Sequence, residues 1–159
     1  MKFAKALIVL VALGSLITFS NCGGGGTPPE PLANQQFTKL QKTWKLTAVT
    51  LDGTTQFNPT GPYNTNFTLT IAGTKGDSKT FTYAIAGRPA LSPWKASGAW
   101  EFGTDAATQL VRDPSSTSDK LDMTYSVTES TLQIQFNYQG TGYTRTDQLK
   151  GNWVFIFGL

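Results

Sequence analysis

Leu132-Gln133-Ile134-Gln135-Phe136-Asn137-Tyr138-Gln139 alternates an apolar with a polar residue over its whole length. A β-strand turns successive side chains to opposite faces, so one face of this segment is dry and the other wet. That is the pattern of an antiparallel sheet with one solvated side. The same period of two runs through Leu121, Met123, Tyr125 and Val127, set against Asp122, Thr124 and Ser126. It returns in Phe67, Leu69 and Ile71, and in Phe81, Tyr83 and Ile85.

Working outward, strands are expected over Trp44–Leu51, Asn66–Ala72, Lys79–Ala86, Ser97–Gly103, Thr108–Arg112, Lys120–Val127, Thr131–Gln139 and Asn152–Phe157. Turn residues separate them: Asp52-Gly53, Asn58 to Pro62, Gly73 to Ser78, Gly103-Thr104-Asp105, Asp113 to Asp119 and Gly140-Thr141-Gly142. About eight short strands on short connections predict an all-β fold, an antiparallel up-and-down barrel. A two-sheet sandwich has the same periodicity; closure is favoured because it leaves no exposed edge. Ahead of the strands, Asn34 to Lys42 predicts one or two helical turns, with Asn34 as N-cap and Phe37 and Leu40 on one side. Trp153-Val154-Phe155-Ile156-Phe157 is apolar on both faces. Its outer face is either covered by Phe37 and Leu40 or meets another protein. An integral outer-membrane barrel is excluded, since the outward positions elsewhere carry Gln, Asn, Asp and Thr, which cannot face lipid.

The amino-terminal end has a different composition. Lys2 and Lys5 precede an apolar run from Ala6 to Phe19, and Ser20-Asn21 leads to Cys22. A run of about 14 residues is too short to cross a hydrocarbon core of about 30 Å. Its length suits the apolar region of a secretory signal. Cys22 is the single cysteine, so it closes no intramolecular disulfide. It is either a free thiol or a modified one. Phe19-Ser20-Asn21-Cys22 resembles the leader of a bacterial lipoprotein, in the looser form used by Bacteroidota. The resemblance implies that Cys22 is acylated and becomes the first residue of the mature chain. The two or three acyl chains of such proteins make release from the membrane negligible, at about 0.8 kcal/mol per buried CH₂.

Gly23 to Ala33 (GGGGTPPEPLA) offers little apolar surface to bury and is expected to be an unfolded tether. It is no phosphate-binding loop, as no strand precedes it and no Lys-Ser/Thr follows. The expected organisation is therefore a signal peptide over 1–21, a lipidated cysteine and tether over 22–33, and a barrel over 34–159. The first acidic residue after Cys22 is Glu30, so no acidic surface-export signal follows the cysteine. The expected location is the cell envelope, at the outer membrane, with both faces open.

Removing Lys2 and Lys5 with the leader lowers the Lys and Arg count from 13 to 11, against 10 Asp and Glu. The remaining cations are dispersed, which argues against nucleic acid as a partner. The chain has no histidine. Ser-His and Cys-His nucleophiles and imidazole metal sites are thus excluded. Glu101 and Glu129 are the only glutamates in the barrel segment and the one candidate catalytic pair. Asp113, Asp119 and Asp122 border a Ser/Thr-rich loop whose spacing fits no EF-hand, and a solvated loop is expected. No enzymatic activity, metal or cofactor is implied.

Lys42 to Gly53 (KTWKLTAVTLDG) and Ala96 to Asp105 (ASGAWEFGTD) resemble the lipocalin-like domain of small Bacteroidota lipoproteins. That family opens its first strand with Gly-x-Trp. Trp44 matches the Trp, and Lys42 stands in place of the Gly. Lys150 or Arg145 would be the basic residue the family places near its last strand, across the base from that Trp. The resemblance implies a barrel closed at one end and able to hold a small hydrophobic or amphipathic molecule. Tyr83, Trp100, Phe102, Tyr125, Phe136 and Tyr138 are expected to point inward, either as packing or as ligand lining. The polar atoms of Tyr and Trp need partners there. On the loop from Gly87 to Gly98, Leu91 sits between Pro89 and Pro93 and Trp94 directly follows Pro93. They form the lip of a mouth, a contact for a partner, or a cap on the barrel end. Two functions stay open: a binding module with a small ligand, and an interaction or structural lipoprotein docking on another envelope protein.

Overall fold

The computed structural model describes residues 28–76, 81–140 and 149–159. A short helix, α1 (Leu32–Leu40), precedes β1 (Thr43–Leu51) and the two-residue β2 (Thr54–Thr55). Then follow β3 (Thr68–Ala72), β4 (Thr82–Ala86), β5 (Ser97–Phe102), β6 (Gln109–Arg112), β7 (Leu121–Val127), β8 (Thr131–Tyr138) and β9 (Gly151–Gly158). Each expected strand is present, with ends displaced by a few residues. Lys79 and Thr80, expected to open β4, lie outside the described residues.

Every strand from β3 to β9 pairs antiparallel with the next, β1 pairs with β3, and β9 returns to β1. The sheet is therefore a closed eight-strand antiparallel barrel. Closure runs from Lys45 opposite Gly158 to Leu51 opposite Trp153. It is interrupted by a register shift between Leu46 and Ala48, where the Thr47 hydroxyl donates to the Ile156 carbonyl at 3.0 Å. Such a bulge sharpens local twist, as a closing strand requires. β2 extends the upper edge of β1 through a tight hairpin at Asp52 and Gly53, whose φ values are 47° and 78°. Two consecutive positive φ values match the handedness of a two-residue hairpin turn.

The alternation resolves as the sequence suggests. Leu132, Ile134, Phe136 and Tyr138 are all buried, while Gln135, Asn137 and Gln139 are exposed and Gln133 is half-buried. The inward side chains merge into one core dominated by aromatic rings. Phe155 packs against Phe67, Phe136, Trp153 and Phe157 at centroid distances of 5.8, 5.8, 5.5 and 6.1 Å.

The barrel has two dissimilar ends. At the base, α1 acts as a stopper. Phe37 stacks on the Phe81 ring at 4.4 Å and reaches within 6.3 Å of Trp100. The Trp44 indole donates to the Leu40 carbonyl at 2.9 Å, fixing the helix to the first strand. Phe37 and Leu40 are thus buried in the core, and the expectation that they cover the outer face of β9 is corrected. Val154 and Ile156 stay half-exposed outside, flanked by Gln135 and Thr50 and by Gln133 and Ala48.

A second correction concerns where the helix starts. Pro31, not Asn34, is its N-cap, and the Asn34 amide donates to the Pro31 carbonyl at 3.0 Å. A fixed proline φ suits this position, so the helix gains a turn at its front. The expected boundary between residues 33 and 34 therefore falls inside α1. Glu30 is already held to the barrel, ion-paired with Lys75 and accepting from Gln35 Nε2 at 2.7 Å through its carbonyl. Among the described residues, no helix is long and apolar enough to cross a membrane.

If α1 is the stopper, Phe37→Ala removes a fully buried ring and its stack on Phe81. We expect a loss of about 3–5 kcal/mol in urea unfolding. A loss below 1 kcal/mol would mean that the base closes without the helix.

Candidate functional site

Five of the six expected lining residues are buried inside the barrel: Tyr83, Trp100, Tyr125, Phe136 and Tyr138. The sixth, Phe102, is half-buried, edge-on to Trp100 at 5.1 Å and to Phe81 at 5.8 Å. They do not surround one space. Trp100, Phe102 and Tyr125 join Phe37 and Phe81 near the base, whereas Tyr83 and Phe136 meet Trp94 toward the mouth. Several of their polar atoms find partners within the chain. Trp100 Nε1 donates to Thr82 O at 3.2 Å, and the Tyr125 hydroxyl to Ala106 O at 2.5 Å. Burial, with a smaller push from Asp105, raises the Tyr125 pKa well above its ordinary value.

Of the three readings open for the loop from Gly87 to Gly98, Trp94 takes the cap. Its ring is 1% exposed and sits edge-on to Tyr83, Phe136 and Phe155 at 5.7, 5.7 and 5.8 Å. Trp94 therefore caps the mouth from within and offers no surface to a partner. Leu91, three residues earlier, remains 37% exposed at the rim. The loop is fixed in this pose by Tyr63. The Tyr63 hydroxyl approaches the Leu91 carbonyl at 3.5 Å and also bonds the Ser92 side chain. Burial pushes the Tyr63 pKa up to about 12, against weaker opposing effects of Ser92 and the Arg88 charge.

The sequence reading missed Arg112, and its expectation of a solvated Asp113 is corrected, since Asp113 is buried. Arg112 is 2% exposed, and parity gives it away: it stands two residues after the inward Leu110 on β6. Its Nη1 donates to the Pro93 carbonyl at 2.7 Å, and its guanidinium carbon lies 5.6 Å from the Trp94 ring centroid. Asp113, at φ 48°, accepts from the Ala99 amide at 3.0 Å and from the Tyr83 hydroxyl at 3.2 Å. Lys95 lies 3.8 Å from Asp113 and 2.9 Å from Asp119. The hydrogen bond from Lys95 holds the Asp119 carboxyl below its usual range. Gly98 makes this packing possible: a Cβ there would stand 2.2 Å from Asp113 Oδ1 and 2.7 Å from the Tyr83 ring.

The acidic candidates are dispersed. Glu129 is at the base, beside Lys42, whose Nζ donates to the Glu129 carbonyl at 2.7 Å. Glu101 is on the outer face of β5, opposite Val111, which in turn is opposite Asp122. Asp122 thus points away from Asp113 and Asp119. Among the described residues, no three Asp, Glu, His or Cys side chains gather for a metal ion. Lys150, at the mouth end of β9, is remote from Trp44 at the base. Lys42 places its ammonium 5.5 Å from the Trp44 ring centroid. Cys22 and Arg145 lie outside the described residues.

Three cavities differ in character. A groove of about 680 Å³ lies on the outer face of β5 to β8, lined by polar side chains including Glu101, Gln109, Lys120, Asp122 and Gln135. A cavity of about 160 Å³ at the mouth is lined by Arg112, Lys120, Leu121 and Tyr138 among others. Beside it, an open depression of about 360 Å³ is bordered by Lys95, Asp113 and Asp119. No protein-family model, curated protein or solved structure matches the chain.

Gly98→Ala is expected to cost about 1–3 kcal/mol, the range for overpacking a tight site, read by urea unfolding. An unchanged midpoint would show that Asp113 and Tyr83 move aside freely. Alkaline stability tests the Tyr63 latch. Its folded pKa lies above its unfolded value near 10, so the stabilisation is complete below pH 10 and lost as pH rises toward 12. A shift of about two units is worth about 3 kcal/mol. Tyr63→Phe should flatten the fall in stability between pH 10 and 12. An unaltered slope would remove Tyr63 from the account.

Proposed function

We propose that this chain is a lipid-anchored protein of the cell envelope, held at the outer membrane through an acylated Cys22. In this reading its lipocalin-like barrel is a non-enzymatic binding module for a small amphipathic molecule. The observation that carries it is the polarity of the barrel. The chain enters at the base, where Glu30 and α1 attach. The loops 56–66, 87–96 and 113–120 gather at the opposite end, around the buried Arg112 and Asp113. From Cys22 to Pro28 the backbone spans at most roughly 21 Å. A lipid on Cys22 therefore keeps the stoppered base near the membrane and turns the mouth away from it. The mouth is also where the polar groups concentrate, as a site for one end of an amphipathic molecule requires.

A second reading is an interaction lipoprotein with no small ligand. It is favoured by the filling of the interior with aromatic rings, which leaves the middle of the barrel to side chains. In that case the half-exposed Val154 and Ile156 and the rim residue Leu91 are among the apolar surfaces available to a protein partner.

The anchor is tested by growing cells on an alkyne-tagged palmitate and isolating the protein. The wild-type chain is expected to carry the tag and sediment with membranes, and Cys22→Ser to lose both properties. Equal labelling of the two chains would sink the anchor, whatever the barrel binds.

A further inference from the structure

The mouth holds two hydrogen-bond donors without acceptors among the described residues. They are Arg112 Nε and Trp94 Nε1, both fully buried. A buried donor without a partner costs about 1–3 kcal/mol, and more when it carries charge. The nearest carboxylate, Asp113, does not meet this need. Its Oδ2 stands 3.7 Å from Arg112 Nε, within ion-pair range but too far for a hydrogen bond. Asp113 is held where it is by the Ala99 amide, the Tyr83 hydroxyl and Lys95.

Arg112 also lines the cavity of about 160 Å³. At about 30 Å³ per water, that space suits a compact polar group rather than an alkyl chain. Lys120, on its rim, is the other cation lining it and forms no ion pair with the described residues. The charged residues lining this cavity are Arg112 and Lys120 against Asp119, one positive charge in excess, and Lys95 approaches the Asp119 carboxylate at 2.9 Å. Arg88, whose Nη1 donates to the Trp94 carbonyl at 3.2 Å, adds a further cation at this end.

We infer that the mouth is an oxyanion site, in which a carboxylate or phosphate group accepts from Arg112, with Lys120 as the second cation and the Trp94 ring, 5.6 Å from the guanidinium carbon, as the neighbouring reporter. The planar guanidinium suits such a group because adjacent N–H bonds match two of its oxygens. This inference rests on the reading of the barrel as a binding module and names the chemistry of what it takes. The oxyanion arrives either free or as the headgroup of an amphipath whose tail stays outside the small cavity.

The test is a titration of the full chain in a nonionic detergent at fixed ionic strength. The probes are inorganic phosphate, hexyl phosphate, hexanoate and hexanol. The readout is the indole N–H resonance of Trp94, assigned by its loss in Trp94→Phe. We expect a saturable shift with at least one oxyanion probe and none with hexanol. Equal affinity for phosphate and hexyl phosphate points to a free anion. Tighter binding of hexyl phosphate or hexanoate points to an amphipath, and both results support the site. Arg112→Met should weaken binding at least tenfold. Lys120→Gln, at a surface position that leaves folding intact, should weaken it at least threefold. If Arg112→Met fails to fold, the Lys120 variant carries the test, and an unchanged affinity there overturns the site. Saturation by hexanol but by no oxyanion would also overturn it while leaving the binding module standing. No response to any probe would remove both.

Discussion

The pairing of β9 with β1 turns a row of half-buried strands into a container. An open sheet of this size would carry two unpaired edges, each a template for another chain. Here the hydrogen bonds from Lys45 and Gly158 up to Leu51 and Trp153 remove both. Closure also explains a strand that is apolar on both sides. Its inner rings, Trp153, Phe155 and Phe157, build the centre of the core. Its outer Val154 and Ile156 lie between β8 and β1, partly covered by the cross-strand neighbours Gln133, Gln135, Ala48 and Thr50. Fixing β9 in this register fixes Phe155, and Phe155 touches most of the rings around it.

A closed barrel of eight strands leaves little interior once its residues are aromatic, and here the space is shared along its length. The base is settled. Trp44 and Trp100 donate to backbone carbonyls, Tyr125 does the same, and Phe37 fills what remains. The mouth is not settled in the same sense. Trp153 finds Leu149 O at 2.8 Å, but Trp94 and Arg112 each keep a donor without an acceptor among the described residues. Rings alone could have closed this end, since an apolar residue at position 112 would carry no desolvation cost. A guanidinium stacked on an indole is a costlier way to fill the same volume. That asymmetry places the polar chemistry of the interior at one end.

The strands were legible because alternation is local: eight residues from Leu132 to Gln139 reveal their own faces. Barrel and sandwich share that alternation, so the choice between them rests on contacts between Thr43–Leu51 and Gly151–Gly158, at opposite ends of the chain. Arg112 was legible too, by parity with Leu110, yet a charged residue in a short strand invites an outward assignment. Trp94 was not. Between Pro89 and Pro93 no period is present, and nothing local distinguishes a displayed tryptophan from an inserted one. The cation beside Trp44 is a local matter. Lys42, two residues before Trp44, places its ammonium 5.5 Å from that ring, a contact set by neighbouring positions on the chain.

The two ends also differ in what they can transmit. A pull along the residues before Pro31 arrives first at the Glu30–Lys75 pair and then at the buried Phe37, both at the base. Ion pairs on a surface contribute little, about 0–1 kcal/mol, so the pair yields early and the load falls on the stacked ring. A buried aromatic ring is worth several times as much. Between it and the mouth lies a close-packed column running from Phe81 and Trp100 to Phe155 and Trp94, and interiors of that density deform little. The geometry around Arg112 is therefore set by the barrel and not by the residues before Pro31.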